Sequence, residues 1–147
     1  MTYFLLHLKR TVLILFNLNF LPKDKIKIIK ENRVEKENLL IVISTHNADS
    51  IMKFPLLYGG VCLPREYFKR VHVMFWGASI QTLQENKTIQ ERVLEIQHEG
   101  VEFSSCIVCA QEYDAVESLE ALNIVCNHTG ELLTFALKDE SWSVLTV

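Results

Sequence analysis

Residues 39–45 read LLIVIST: five apolar residues in a row, then Ser44 and Thr45. A strand with one wet face alternates apolar and polar side chains. A strand buried on both faces has no reason to alternate and reads as an unbroken run of aliphatics. This stretch therefore belongs inside a sheet covered on both sides. HNADS (46–50) follows and offers Asn47 or Asp49 as a helix N-cap. A helical pattern runs on to about Val61, weakened by Pro55 and by Gly59-Gly60, and Pro64 ends it.

The rhythm then repeats. VHVMFWG (71–77) is a second strand closed by Gly77, and ASIQTLQEN and TIQERVLEIQHEG are helical. In the latter, Ile89, Val93 and Ile96 form one apolar stripe and Gly100 suits the position after a helix end. VEFSS (101–105) is a third strand, residues 109–122 a helix, NIVC (123–126) a short fourth strand, TGELLTFALKDE a helix and WSVLTV a fifth strand. Strands alternating with helices imply right-handed crossovers and a parallel five-stranded sheet, an α/β fold with both faces covered.

The chain has 147 residues, 49% of them apolar, and fits one domain with a packed core. Its net charge of −3 is unevenly spread. Residues 1–33 hold seven Lys/Arg and two Asp/Glu, whereas residues 34–147 hold eight and sixteen. So acidic a body excludes nucleic acid as the main partner, since phosphate binding needs concentrated cations. Four cysteines are too few for a disulfide scaffold at this length, which points to reduced thiols and a cytoplasmic protein.

Residues 1–34 read as an N-terminal extension to a single domain at 35–147. The apolar run Val12–Leu21 is too short for a stable membrane span, and Leu21-Pro22-Lys23 is no signal-peptide cleavage site. Three readings stand: a membrane-surface anchor, a docking segment, or a stretch outside the native protein, with translation starting at Val34. The abrupt change of composition before the first strand favours the third.

In parallel sheets the functional crevice lies beyond the carboxyl ends of the strands. That edge collects Thr45, His46 and Asn47, then Gly77, Ala78 and Ser79, then SSCIVCAQEYD (104–114) with Cys106 and Cys109. Four readings of the pair compete. Structural zinc needs four ligands, and only Cys126 and His128, on or after another strand, could complete a set. A dithiol redox couple fits the spacing, but Ile107-Val108 is bulky and no proline follows Pro64 to serve as a downstream cis-proline. A single reactive thiol fits Cys106, since amides opening the next helix favour thiolate. Buried packing is the bland reading, and it suits Cys62 and Cys126 best.

The remaining candidates have plain explanations as well. His46 could orient a substrate, yet a loop histidine is usually solvated. His72 reads as buried and hydrogen-bonded, His98 as a cation at a helix C-terminus, and Trp76 as core or interface. Glu112, Asp114, Glu117 and Glu120 read as a solvated face.

VHVMFWGAS, GVEFSSCIVCAQEYDAVESLEALNI and TGELLTFALKDESWSVLTV together resemble the DsrE family of small sulfur-relay proteins (DsrE/DsrF-like) over residues 39–147. The nearest likeness is to a branch with a Cys-x-x-Cys-Ala-x-x-Tyr motif, here Cys106, Cys109, Ala110 and Tyr113. The resemblance implies a three-layer α/β/α fold and oligomers, often trimers or hexamers. It also implies a cysteine, by position Cys106, that carries persulfide between donor and acceptor proteins. Such chemistry needs no cofactor and no metal. The chain departs from the branch at Asp114, where glycine is usual, and lacks the Arg-rich stretch that follows the cysteine in some members. The expected function is thus a sulfane-sulfur carrier working on Cys106, with Cys109 as secondary thiol and His46, Asn47, Gly77, Ser79 and Tyr113 as pocket candidates. The alternatives are a non-catalytic binding or assembly module and a dithiol–disulfide redox protein.

Overall fold

The computed structural model describes residues 36–147, so the readings of the N-terminal extension lie outside the described residues. Strand β1 (Asn38–Ile43) lies at the heart of the sheet, between β2 (Arg70–Phe75) and β5 (Trp142–Thr146). Strand β3 (Glu102–Cys106) follows β2, and β4 (Val125–Asn127) closes that edge. All pairings are parallel, in the order β4-β3-β2-β1-β5. Residues 39–43 are buried throughout, as an unbroken aliphatic run requires.

The order dictates the layers. From β1 to β4 each crossover steps in one direction; the last returns across the whole sheet to β5. Right-handed crossovers stepping in opposite directions lie on opposite faces. Accordingly Leu39, Ile41, Ile43, Val73 and Phe75 pack under the helices between β1 and β4. Leu40, Val42 and Met74 point the other way, to α7 (Thr129–Lys138), with its Ala136, and to Trp142 of β5. The fold is a three-layer α/β/α sandwich.

Local chemistry sets the helix ends. The stretch after β1 is two helices, α1 (Ala48–Lys53) and α2 (Pro55–Cys62), because Phe54 leaves helical geometry and Pro55 begins the second at its first position. Asn47 is the N-cap, its side chain accepting the Ser50 N–H at 2.8 Å; Asp49 lies within the first turn. The two glycines serve close packing: a Cβ on Gly59 would meet Ile41 at 3.2 Å and one on Gly60 would meet Ile96 at 3.1 Å.

Helices α3 (Ser79–Glu85) and α4 (Lys87–His98) follow β2, and α4 buries Ile89, Val93 and Ile96 as their spacing predicts. The helix expected over 109–122 is instead α5 (Ile107–Glu112) and α6 (Val116–Glu120). Asp114 separates them with φ of 50°, a left-handed value at the position where the resembled branch has glycine. Among the described residues no helix is long and apolar enough to cross a membrane.

One polar chain, buried at its His72–Ser104 end and exposed at Arg70 and Glu102, crosses the α7 side of the sheet. His72 Nε2 lies 2.7 Å from Ser104 Oγ and Nδ1 lies 3.2 Å from Glu102. Arg70 clamps the same carboxylate at 3.0 and 2.7 Å and stacks over Trp142. Burial pushes the His72 pKa down despite its carboxylate neighbour. Hydrogen bonds from Arg70 pull Glu102 down, against partial burial.

Both shifts have the same consequence on acidification. An unfolded His72 takes up a proton near pH 6.5, before the folded one does, and Glu102 must later give up its pairing. The expected outcome is a melting temperature that falls as pH drops from 7 towards 4, followed by calorimetry. His72→Gln should flatten the upper limb of that curve and Glu102→Gln the lower. A flat wild-type curve would remove the network from the stability account.

Candidate functional site

Adjacent strands whose crossovers leave on opposite faces leave a crevice open between their carboxyl ends. In this sheet those strands are β3, which feeds α5 on one face, and β4, which feeds α7 on the other. Cys106 is the last residue of β3, in register with Asn127 at the end of β4, and it occupies the N-cap position of α5. The reactive-thiol candidate therefore sits at the topological switch point.

Cys106 is 8% exposed and carries a free thiol, as do Cys109, Cys62 and Cys126. Desolvation works against its anion. The backbone N–H and thiol of Cys109, the Thr129 hydroxyl and the Val108 N–H together outweigh that, and the Cys106 pKa falls below the ordinary thiol value. Cys109 goes the other way. Burial raises its pKa most; the Gly77 N–H opposes this, while Cys106 and the charge of Glu112 push it further up. The pair is thus polarised, with the anion favoured on Cys106 and the proton on Cys109.

Thr129 opens α7, is 1% exposed, and its hydroxyl has no hydrogen-bond partner. Next to it, a Cβ on Gly130 would lie 3.8 Å from the Trp76 ring, so Trp76 stands against the first turn of α7. Gly77 follows with φ of +59° and open space where a side chain would be. Only a residue without Cβ holds that turn at no cost and still presents its N–H to Cys109.

The other sequence candidates separate from this cluster. His46 and Asn47 lie beyond β1, two strand spacings or about 10 Å from β3. Asn47 is spent as a helix cap, and His46 lines a polar groove of about 430 Å³ with Gln81, Thr82, Glu85 and Asn86. Tyr113 ends α5 and packs against the core. Ser79 is wholly buried: its Oγ donates to the Ile43 carbonyl at 2.7 Å and accepts the Trp76 N–H at 3.1 Å. That hydroxyl fastens the β2 turn to β1 and is not available to a substrate.

Cys62 is fully buried against the Tyr58 hydroxyl, and burial raises the pKa of Cys62 and of Cys126. Among the described residues no group of three or more His, Cys, Asp or Glu is placed to hold a metal ion. The Ser104–His72–Glu102 chain has the donor order of a hydrolytic triad. Ser104, however, is buried in mid-strand, paired on both sides, with no free amides beside it to stabilise an oxyanion.

Thr129 and Gly130 are the site residues that sequence reasoning missed. The signal was there: they follow a strand end, as Gly77 and Cys106 do.

No protein-family model matches the chain, and no curated protein matches it. A solved structure of a conserved protein of unknown function from Bacteroides thetaiotaomicron is similar to it, with a TM-score of 0.71 and 23% identity over 76% of this chain and 95% of that one. That likeness shows the fold. It also shows that the fold makes up nearly all of that protein.

Ser79→Ala should lower stability by about 1–2 kcal/mol, the usual cost of a lost buried hydrogen bond, with Cys106 reactivity unchanged. Chemical denaturation and alkylation rates check the two halves. A loss of thiol reactivity at unchanged stability would return Ser79 to the site.

Proposed function

We propose that this protein is a sulfane-sulfur carrier that accepts and passes on persulfide sulfur at Cys106. The single observation that carries the reading is the polarised pair at the switch point: a thiol surrounded by donors that favour its anion, beside a second thiol that stays protonated. The thiolate is the nucleophile in sulfur exchange. Cys106 S⁻ attacks the outer sulfur of a donor persulfide R–S–SH. A new S–S bond forms, the old one breaks, and R–S⁻ leaves with the electron pair. Cys106–S–SH results with no net oxidation. An acceptor thiolate reverses the step.

Cys109 governs how long the sulfur stays. Its thiolate could attack Cys106 Sγ, expel hydrosulfide and close a Cys106–Cys109 disulfide. A raised pKa keeps Cys109 protonated and slows that discharge. The resemblance to the DsrE family supports the same assignment, as does the exposed Val108 between the cysteines, an apolar contact point for a donor or acceptor protein. A cytoplasmic setting, where thiols stay reduced, and a homo-oligomer belong to this reading. Val125, Phe135 and Leu137 offer exposed apolar surface for subunit contacts.

A dithiol–disulfide couple is the second reading, favoured by the contact between the two thiols. The experiment is exposure to glutathione persulfide, alkylation and peptide mass spectrometry. The expected result is one added sulfur on Cys106 in the wild type and in Cys109→Ser, and none in Cys106→Ser. Sulfur on another cysteine while Cys106 stays unmodified rejects the assignment. Rapid and complete conversion to the intramolecular disulfide moves the function to the redox couple.

A further inference from the structure

The Thr129 hydroxyl is one of two buried side-chain polar atoms without a hydrogen-bond partner among the described residues, the other being Ser105 Oγ. A hydroxyl 1% exposed and unpaired is costly to keep, and a fold tolerates it where a second state of the molecule satisfies it. Thr129 sits at the first position of a ten-residue helix whose N-cap residue, His128, makes no side-chain capping bond. Two residues earlier, Asn127 is in register with Cys106. The hydroxyl thus lies buried at the carboxyl ends of β3 and β4, near enough to Cys106 to bear on its sulfur.

We propose that Thr129 is a positioning residue whose hydroxyl donates to the sulfur anion of Cys106, as thiolate before sulfur transfer and as persulfide after it. This rests on Cys106 being the working thiol. In this structure the hydroxyl makes no hydrogen bond. A thiol sulfur is a weak acceptor and its anion a much stronger one, so loss of the proton strengthens the case for the buried donor to turn to the sulfur. The contribution of Thr129 to lowering the Cys106 pKa is consistent with that arrangement. The positive end of α7, from the Thr129 and Gly130 amides, adds to the same field. In the persulfide the outer sulfur carries the negative charge, so a buried donor beside the site holds the cargo sulfur in one orientation. Titratable groups on the elements packed here are Cys109 and Glu112 of α5, Cys126 of β4, His128 before α7 and Glu131 in the first turn of α7.

The test compares Thr129, Thr129→Val and Thr129→Ser in a Cys109→Ser background, which leaves one thiol at the site and keeps a donor in place of the second. Iodoacetamide alkylation of Cys106 is followed by peptide mass spectrometry from pH 5 to 10, with thermal stability and sulfur loading measured in parallel. Thr129→Val should slow alkylation roughly five- to tenfold at pH 7 and shift the profile to higher pH, with Thr129→Ser restoring it. Its melting temperature should be unchanged or higher, because valine removes an unsatisfied hydroxyl. An unchanged profile in Thr129→Val overturns the proposal, as does a profile that shifts only together with a loss of stability. Normal loading with an unchanged profile removes Thr129 and leaves the carrier function standing. A shifted profile on a protein that takes up no sulfur keeps Thr129 and removes the carrier function.

Discussion

The handedness of one crossover organises this molecule. Three crossovers step from β1 to β4 and bury one face of the sheet under six helices. The fourth must travel back past β1 to reach β5, and right-handedness sends it across the other face as α7. At the β3–β4 boundary the chain therefore departs upward from one strand and downward from its neighbour. The gap between those departures is where Cys106, Cys109, Gly77 and Thr129 meet. Place α7 on the first face, and Cys106 loses both Thr129 and the positive end of that helix.

The same crossover explains the chemistry of the second face. One ten-residue helix covers less sheet than six, and the surface it leaves beside β2 and β3 is polar. His72, Ser104, Glu102 and Arg70 occupy it as a connected chain that ends on Trp142. Each buried member finds a partner, so the chain avoids the penalty of an isolated buried polar group. The contrast with Thr129 is informative. His72 and Ser104 are paired, whereas the Ser105 and Thr129 hydroxyls are not, and both belong to segments at the carboxyl ends of β3 and β4.

Much of the fold was legible because its signals are local. LLIVI (39–43) is buried on both faces for the reason its composition gives, Asn47 caps a helix, and Gly100 takes the positive φ that follows α4. Cys106 at a strand end and His72 as a bonded core histidine followed from the same reading. Misreadings came where local signals were ambiguous. Apolar spacing over 109–122 fits one helix, and only the left-handed Asp114 breaks it. Phe54 gives no sign of leaving helical geometry except that Pro55 follows. Strand order is not written in any local pattern, so the switch point could not be placed between β3 and β4. For that reason His46 and Ser79 stand beside Cys106 as pocket candidates in the sequence reading, and Thr129 is not among them.

The account stands on the polarisation of the cysteine pair, and a titration reads it directly. Selective ¹³C labelling of the cysteine Cβ atoms allows each thiol to be followed by NMR across pH in the untouched wild-type protein. The account predicts that Cys106 ionises first, below the ordinary range of a free thiol, and that Cys109 follows above it. Cys109 ionising first, or the two titrating together at the ordinary value, would contradict it.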